Sequence, residues 1–178
     1  MSRHLILAAV VGASVHFSAS CGSEGKTLSR SGFQFERPAG LKAEHGTVAA
    51  SSGEPLTSDA FGLDANNLII VRTYALRVSI DEGNVGRLRP EIQRIFQGLL
   101  QVVHGVIATP LRRTKANPLP GFELTAMTDS VSGARVRERI ILLFHGSSEL
   151  FVLCQWRPAQ RARMSAACRK LAVSVRTS

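Results

Sequence analysis

Glu149-Leu-Phe-Val-Leu-Cys-Gln-Trp156 is the stretch on which the fold turns. In an extended chain successive side chains point to opposite faces, so Leu150, Val152, Cys154 and Trp156 share one face of a strand. Downstream, Met164, Cys168, Leu171 and Val175 recur at spacings of four, three and four. That is the apolar stripe of a helix running from about Gln160 to Val175. Strand and helix bury their stripes against each other, and both sulfurs then lie in one interface. In an oxidising compartment such an even pair is expected to be a disulfide. Closing a loop of this size would stabilise the domain by about 3 kcal/mol.

Two strands precede this unit, Gly121 to Val131 and Ala134 to Phe144, joined by a turn at Ser132-Gly133. A second turn, His145-Gly146-Ser147-Ser148, leads into the strand that carries Cys154. Thr109 to Pro120 holds three prolines and three basic residues and reads as a connecting loop. Before it, a helix runs from Val85 or Pro90 to Val103. Its stripe is Leu88, Ile92, Ile95, Leu99 and Val102, with Gly105 as the expected C-cap. Asn67 to Val78 is β-branched and nearly continuously apolar, as a central strand requires. Residues 39–66 read as a Gly, Ser, Ala and Asp-rich connection with a short strand at Thr47 to Ser51. Gly32-Phe-Gln-Phe-Glu36 reads as the first strand. Strands, a helix, an antiparallel meander and a closing helix make an α+β domain over residues 31–178.

The other end of the chain speaks to location. Arg3 and His4 precede an apolar run from Leu5 to Val15, the form of an export signal over residues 1–20. Eleven apolar residues fall short of the roughly 20 needed to span a bilayer. Ser18-Ala19-Ser20-Cys21 resembles a lipobox, in which small residues precede a cysteine that is diacylated and becomes the new N-terminus. Residues 21–30, opening Gly22-Ser-Glu-Gly-Lys26, then serve as a tether. The expected setting is the outer face of the cell membrane, reached through a lipid on Cys21.

The net charge of +9 is unevenly placed. Residues 21–111 carry nine basic and nine acidic side chains, whereas residues 112–178 carry twelve and four. Arg135, Arg137 and Arg139 alternate along one strand and project from one face. An arginine row of this kind holds phosphate or carboxylate groups bidentately. Arg112, Arg113 and Lys115 are candidates to extend it. Aromatic residues make up 6% of the chain, too few for a base-stacking platform, and export argues against nucleic acid.

No catalytic motif is present: neither GxSxG, HExxH, a P-loop, a strand-linked GxGxxG nor CxxC occurs. His45, His104 and His145 fall in loops and turns, and no cysteine or histidine spacing suggests a metal site. The expectation is no enzyme, no cofactor and no metal.

The order of elements is similar to the PsbP-like α/β/α sandwich, with a mostly antiparallel sheet, an internal helix and a C-terminal helix. More closely, it resembles the LpqN-type lipoproteins of mycobacteria and related actinobacteria. The residues that carry this are Cys21, Gly32-Phe33 with Pro38, and Gly62-Leu-Asp-Ala-Asn-Asn-Leu-Ile-Ile-Val71. Further on come Gly121, Arg139 to Gly146 in the form R-x4-F-x-G, and Cys154-Gln155 with Cys168. None is a catalytic signature, so the resemblance speaks to fold and location. The functional expectation is a cell-envelope lipoprotein acting as a binding or accessory module for a partner protein. The alternatives are a receptor for an anionic envelope glycolipid or polymer and, more remotely, an extracytoplasmic hydrolase.

Overall fold

A computed structural model describes residues 26–49, 55–130 and 132–178. The expectations for the leader, for Cys21 and for the first part of the tether lie outside the described residues.

The strand predicted around Cys154 is the second arm of β8 (Arg135–Trp156), a strand element of 22 residues. Drawn straight it would span roughly 70 Å at about 3.3 Å per residue, and it folds back at Gly146 instead. Gly146 adopts φ +56°, the left-handed region that glycine enters without steric cost. The side-chain parity also changes there: Ile141 and Leu143 share one core cluster with Leu150, Val152 and Cys154. Ser132, just before the first arm, bonds Asn66 beside the far end of the second. The turn expected at His145–Ser148 is therefore present.

The first arm pairs antiparallel with β7 (Leu119–Asp129), and the second with β5 (Asn67–Ile80). β7 pairs onward with β6 (Val106–Ala116), and β5 with β4 (Pro55–Asp64), which pairs with β3 (Lys42–Ala49). The resulting sheet has the order β3-β4-β5-β8-β7-β6. Three short strands, β1 (Thr27–Arg30), β2 (Phe33–Glu36) and β9 (Arg176–Thr177), form a second sheet in the order β1-β2-β9.

Both faces of the large sheet are buried. On one, α2 (Arg161–Ser174) and β2 cover Phe61, Ile69, Val71, Leu150 and Val152. On the other, α1 (Arg89–Val102) covers Leu124, Ile140, Leu142 and Leu153. The result is the α/β/α sandwich with a mostly antiparallel sheet. The α2 stripe falls as the periodicity predicts, with Met164, Cys168, Leu171 and Val175 fully buried. Cys154 and Cys168 form the expected disulfide. Gly121 sits where a Cβ would come within 2.0 Å of the Leu142 carbonyl oxygen. Only glycine permits that approach of two strands.

Several local expectations give way to tertiary structure. Thr27–Arg30, assigned by sequence to the tether, is a strand paired with β2. The connection over residues 39–66 contains the β3–β4 hairpin. The proline-rich loop at Thr109 to Pro120 is the β6–β7 hairpin, turning at Asn117-Pro118. β6 is an edge strand, where a proline leaves no ladder hydrogen bond unmade, and the register shifts on either side of Thr109, next to Pro110. The buried line of α1 is Ile92, Phe96 and Leu100, while Val102 is 69% exposed. The helix carries an apolar arc wider than one stripe, and the sheet selects which part is covered. The left-handed residue ending α1 is His104 at φ +49°, followed by a Gly105 N–H to Leu100 carbonyl bond of the Schellman type.

The Gly62–Val71 stretch is a structural lock. Asp64 accepts bonds from the Asn66 amide and from Asn67 Nδ2, and Asn67 Oδ1 accepts the Arg157 amide. Gln155 Nε2 donates to the Ala65 carbonyl. These bonds fix the β4–β5 turn to the strand that holds Cys154.

Candidate anion-binding face

Arg135, Arg137 and Arg139 lie on the first arm of β8, opposite Asp129, Met127 and Thr125 of β7. They share the sheet face that carries α2, beyond the part that the helix covers. The organising residue is Glu123 on β7, a carboxylate only 6% exposed. Arg139 donates to its Oε2 through Nε at 3.0 Å and through the terminal nitrogen at 2.5 Å. Arg112, one strand further out on β6, donates to Oε1 from Nε at 2.6 Å. One buried acid thus clamps two arginines from opposite sides. Burying a carboxylate is tolerable when it is paired and hydrogen-bonded in this way.

Arg137, the next position of the row beyond Arg139, differs from its neighbours. Its Nε lies 3.5 Å from the Met127 sulfur, a weak acceptor, and among the described residues no carboxylate pairs with it. Arg135 bonds Asp129 at 3.0 Å and the His104 carbonyl at 3.3 Å. The predicted row is therefore one surface, and Arg112 joins it. Arg113 and Lys115 do not: they pair with Glu82, and Arg113 also lies over the Phe122 ring on the α1 side. Alternation along β6 separates Arg112 from its neighbours, which is why six basic residues do not form one patch.

On helix α2, Arg163 and Ser174 bond the Gly40 carbonyl and the Glu36 amide on the β2 side. This leaves the flank of Arg161, Ser165 and Arg169, spaced by four, on the side of the helix turned away from β2. Arg169 donates to Ser165 Oγ at 3.0 Å. Sequence reasoning missed Glu123 and this flank. The signal for Glu123 was present, a lone acid within the otherwise apolar Gly121-Phe-Glu-Leu-Thr-Ala-Met127.

The other titratable groups are arranged differently. His45 bonds Asp59 at 2.8 Å, and Asp59 also takes both arms of the Arg30 guanidinium. Among the described residues no serine, threonine or cysteine bonds His45, so the pair has no nucleophile beside it. His104 ends α1, and His145 packs edge-on against Phe33. On the α1 side of the sheet, burial pushes the Glu149 carboxyl up to about 7, and its Oε1 has no hydrogen-bond partner among the described residues. Burial also raises the neighbouring Tyr74 hydroxyl, opposed by the Arg72 guanidinium. Among the described residues there is no cluster of three or more metal-ligating side chains. No described helix is long and apolar enough to cross a membrane. A groove of ≈ 110 Å³ between α1 and β6, floored by Phe96, Leu111 and Leu124, is well below the size of an ordinary small-molecule site.

No protein-family model and no curated protein matches this chain. Solved structures do match. Cyanobacterial PsbP (CyanoP) from Synechocystis sp. PCC 6803 superposes with a TM-score of 0.60 at 11% identity, over 90% of this chain and 98% of that one. A protein from Bacteroides thetaiotaomicron superposes with a TM-score of 0.56 at 8% identity, over 88% of this chain and 49% of that one. At such identities the likeness speaks for the backbone and not for the ligand. The chain has a PsbP-like fold.

Proposed function

We propose that this protein is a non-catalytic binding or accessory module of the cell envelope, which receives anionic groups of its partner on the β6–β7–β8 face. The observation that carries the reading is the Glu123 clamp. It holds Arg112 and Arg139 in fixed poses on either side of Glu123, and next to Arg139 along β8 stands Arg137, whose guanidinium has no carboxylate partner among the described residues. Preorganised guanidinium groups lose little entropy on binding and offer paired donors that match carboxylate or phosphate. An acidic envelope protein and an anionic envelope glycolipid or polymer both present that chemistry.

Binding to envelope extracts is expected to weaken as salt rises from roughly 50 to 500 mM, because exposed charges are screened over about 10 Å at 0.1 M. The triple replacement R135Q/R137Q/R139Q should reduce retention at least tenfold (about 1.4 kcal/mol). Retention that ignores both salt and the three substitutions would remove the reading.

The location belongs to the same proposal. The leader, the lipobox-like Ser18–Cys21 and the likeness to LpqN-type lipoproteins support a lipid on Cys21 at the outer face of the membrane. Intact mass of the protein from its native membrane should show loss of residues 1–20 and gain of acyl chains. A mass matching an unacylated chain with its leader intact would place it elsewhere.

A further inference from the structure

We infer that the ligand of this face is a linear polyanion lying along β8, its charges taken in register by successive arginines. The inference rests on the binding reading above and narrows it from any anionic group to one class. Alternate residues of a strand are about 6.6 Å apart, two steps of about 3.3 Å. Arg135, Arg137 and Arg139 therefore present three cations at a fixed interval, with a span of about 13 Å from first to last. A polymer whose phosphate or carboxylate groups recur at that interval meets all three without bending.

The neighbouring side chains suit such a ligand. The outer arginines of the row are held by acids, Arg135 by Asp129 and Arg139 by Glu123. Each contact leaves guanidinium N–H groups unused, since arginine carries five. The two carboxylates also repel an anion placed directly over them, so they set where its charges sit and not merely how many bind. Between them the floor opposite the row is neutral, Met127 and Thr125. Arg161 and Arg169, on the flank of α2 turned away from β2, add two cations to the helix that covers this sheet face. Six arginines (112, 135, 137, 139, 161 and 169) against two acids (123 and 129) give these groups together a charge of +4. A row open at its ends accepts a chain of any length, and its affinity is expected to grow with the number of charges engaged.

The test uses the full chain and synthetic oligo(glycerol phosphate) of one, three and six repeats, titrated calorimetrically at roughly 50 and 200 mM salt. The expected result is a rise in affinity of at least about 30-fold from one repeat to three. A salt dependence that steepens from one released counterion toward three should accompany it. R137Q should cost about tenfold against three and six repeats, and R161Q/R169Q several-fold against six. Both variants should melt at the parental temperature, which separates lost binding from lost folding. If one repeat binds as tightly as six, the face takes a single anion, and the polymer inference fails while the binding reading stands. The polymer inference fails alone, too, if all oligomers are ignored but an acidic envelope protein is retained in an Arg137-dependent way. If no anionic probe or partner responds to R137Q, both fail.

Discussion

Reduction of the Cys154–Cys168 bond is expected to cost about 3 kcal/mol of stability and to lower the melting temperature by about 6–12 °C. The bond closes a short loop, with the two cysteines 14 positions apart. In the chain-entropy account such a crosslink acts chiefly by restricting the unfolded chain. Its position adds to the effect. Both cysteines are fully buried, and the bond joins the second arm of β8 to the middle of α2. Against a total of about 5–15 kcal/mol for a domain, that is a large share. Because the sulfurs are inaccessible, the comparison requires unfolding in denaturant with reductant, alkylation-free refolding, and a melt under reducing conditions. Superimposable melts of the oxidised and reduced protein would show that the crosslink contributes nothing. The C154A/C168A variant supplies the permanent form of the same comparison, with a small additional loss from the vacated volume.

Glu149 gives the second large effect, with a defined pH window. Its carboxyl is 2% exposed and Oε1 has no hydrogen-bond partner among the described residues, so burial in a low dielectric holds the acid in its neutral form. The folded-state value is about 7, whereas an unfolded chain has about 4.3. A group whose folded value is raised contributes fully below the unfolded value, and the contribution disappears as pH rises through the folded one. Stability is therefore expected to fall by about 3 kcal/mol between about pH 4.5 and 8, at roughly 1.4 kcal/mol for each pH unit separating the folded and unfolded values. Glu149→Gln removes the titration. Its urea midpoint should fall less over that range and should exceed the parental midpoint at about pH 8. Parallel pH profiles for the two proteins would show that Glu149 ionises normally in the folded state. Tyr74, across the ladder from Glu149, is also raised by burial, so any pH dependence in the alkaline range belongs to a second group.

The two effects differ in how far they were legible. The disulfide followed from two local periods, alternation around Cys154 and helical spacing around Cys168. Each period needs only the neighbouring residues to assign a face. Glu149 was visible only as the first residue of an apolar run. Nothing in that run says that its carboxylate is driven inward opposite Tyr74, because strand pairing decides that. The basic face divides in the same way. Alternation placed Arg135, Arg137 and Arg139 on one side of a strand. Whether Arg112 or Arg113 joined them depended on the register between β6 and β7, in which Arg112 meets Glu123 and Arg113 meets Phe122. One step of register exchanges every side chain between faces.

The sequence by itself determined the elements whose signal is local and repeated. These were the Cys154 strand, the terminal helix with its buried stripe, the central strand from Asn67, and the turns at Ser132-Gly133 and Gly146. Together they sufficed for an α+β sandwich. Tertiary structure alone decided the edge strands β1, β3 and β6, and with β3 its inner partner β4, whose glycines, serines and prolines read locally as loop. Edge strands bury little and form because a neighbour offers unpaired backbone groups, a condition absent from their own residues. It also decided that Glu123 would sit beneath two arginines from different strands. Charges that meet across a sheet are separated along the chain, and only the pairing that folds the sheet brings them together.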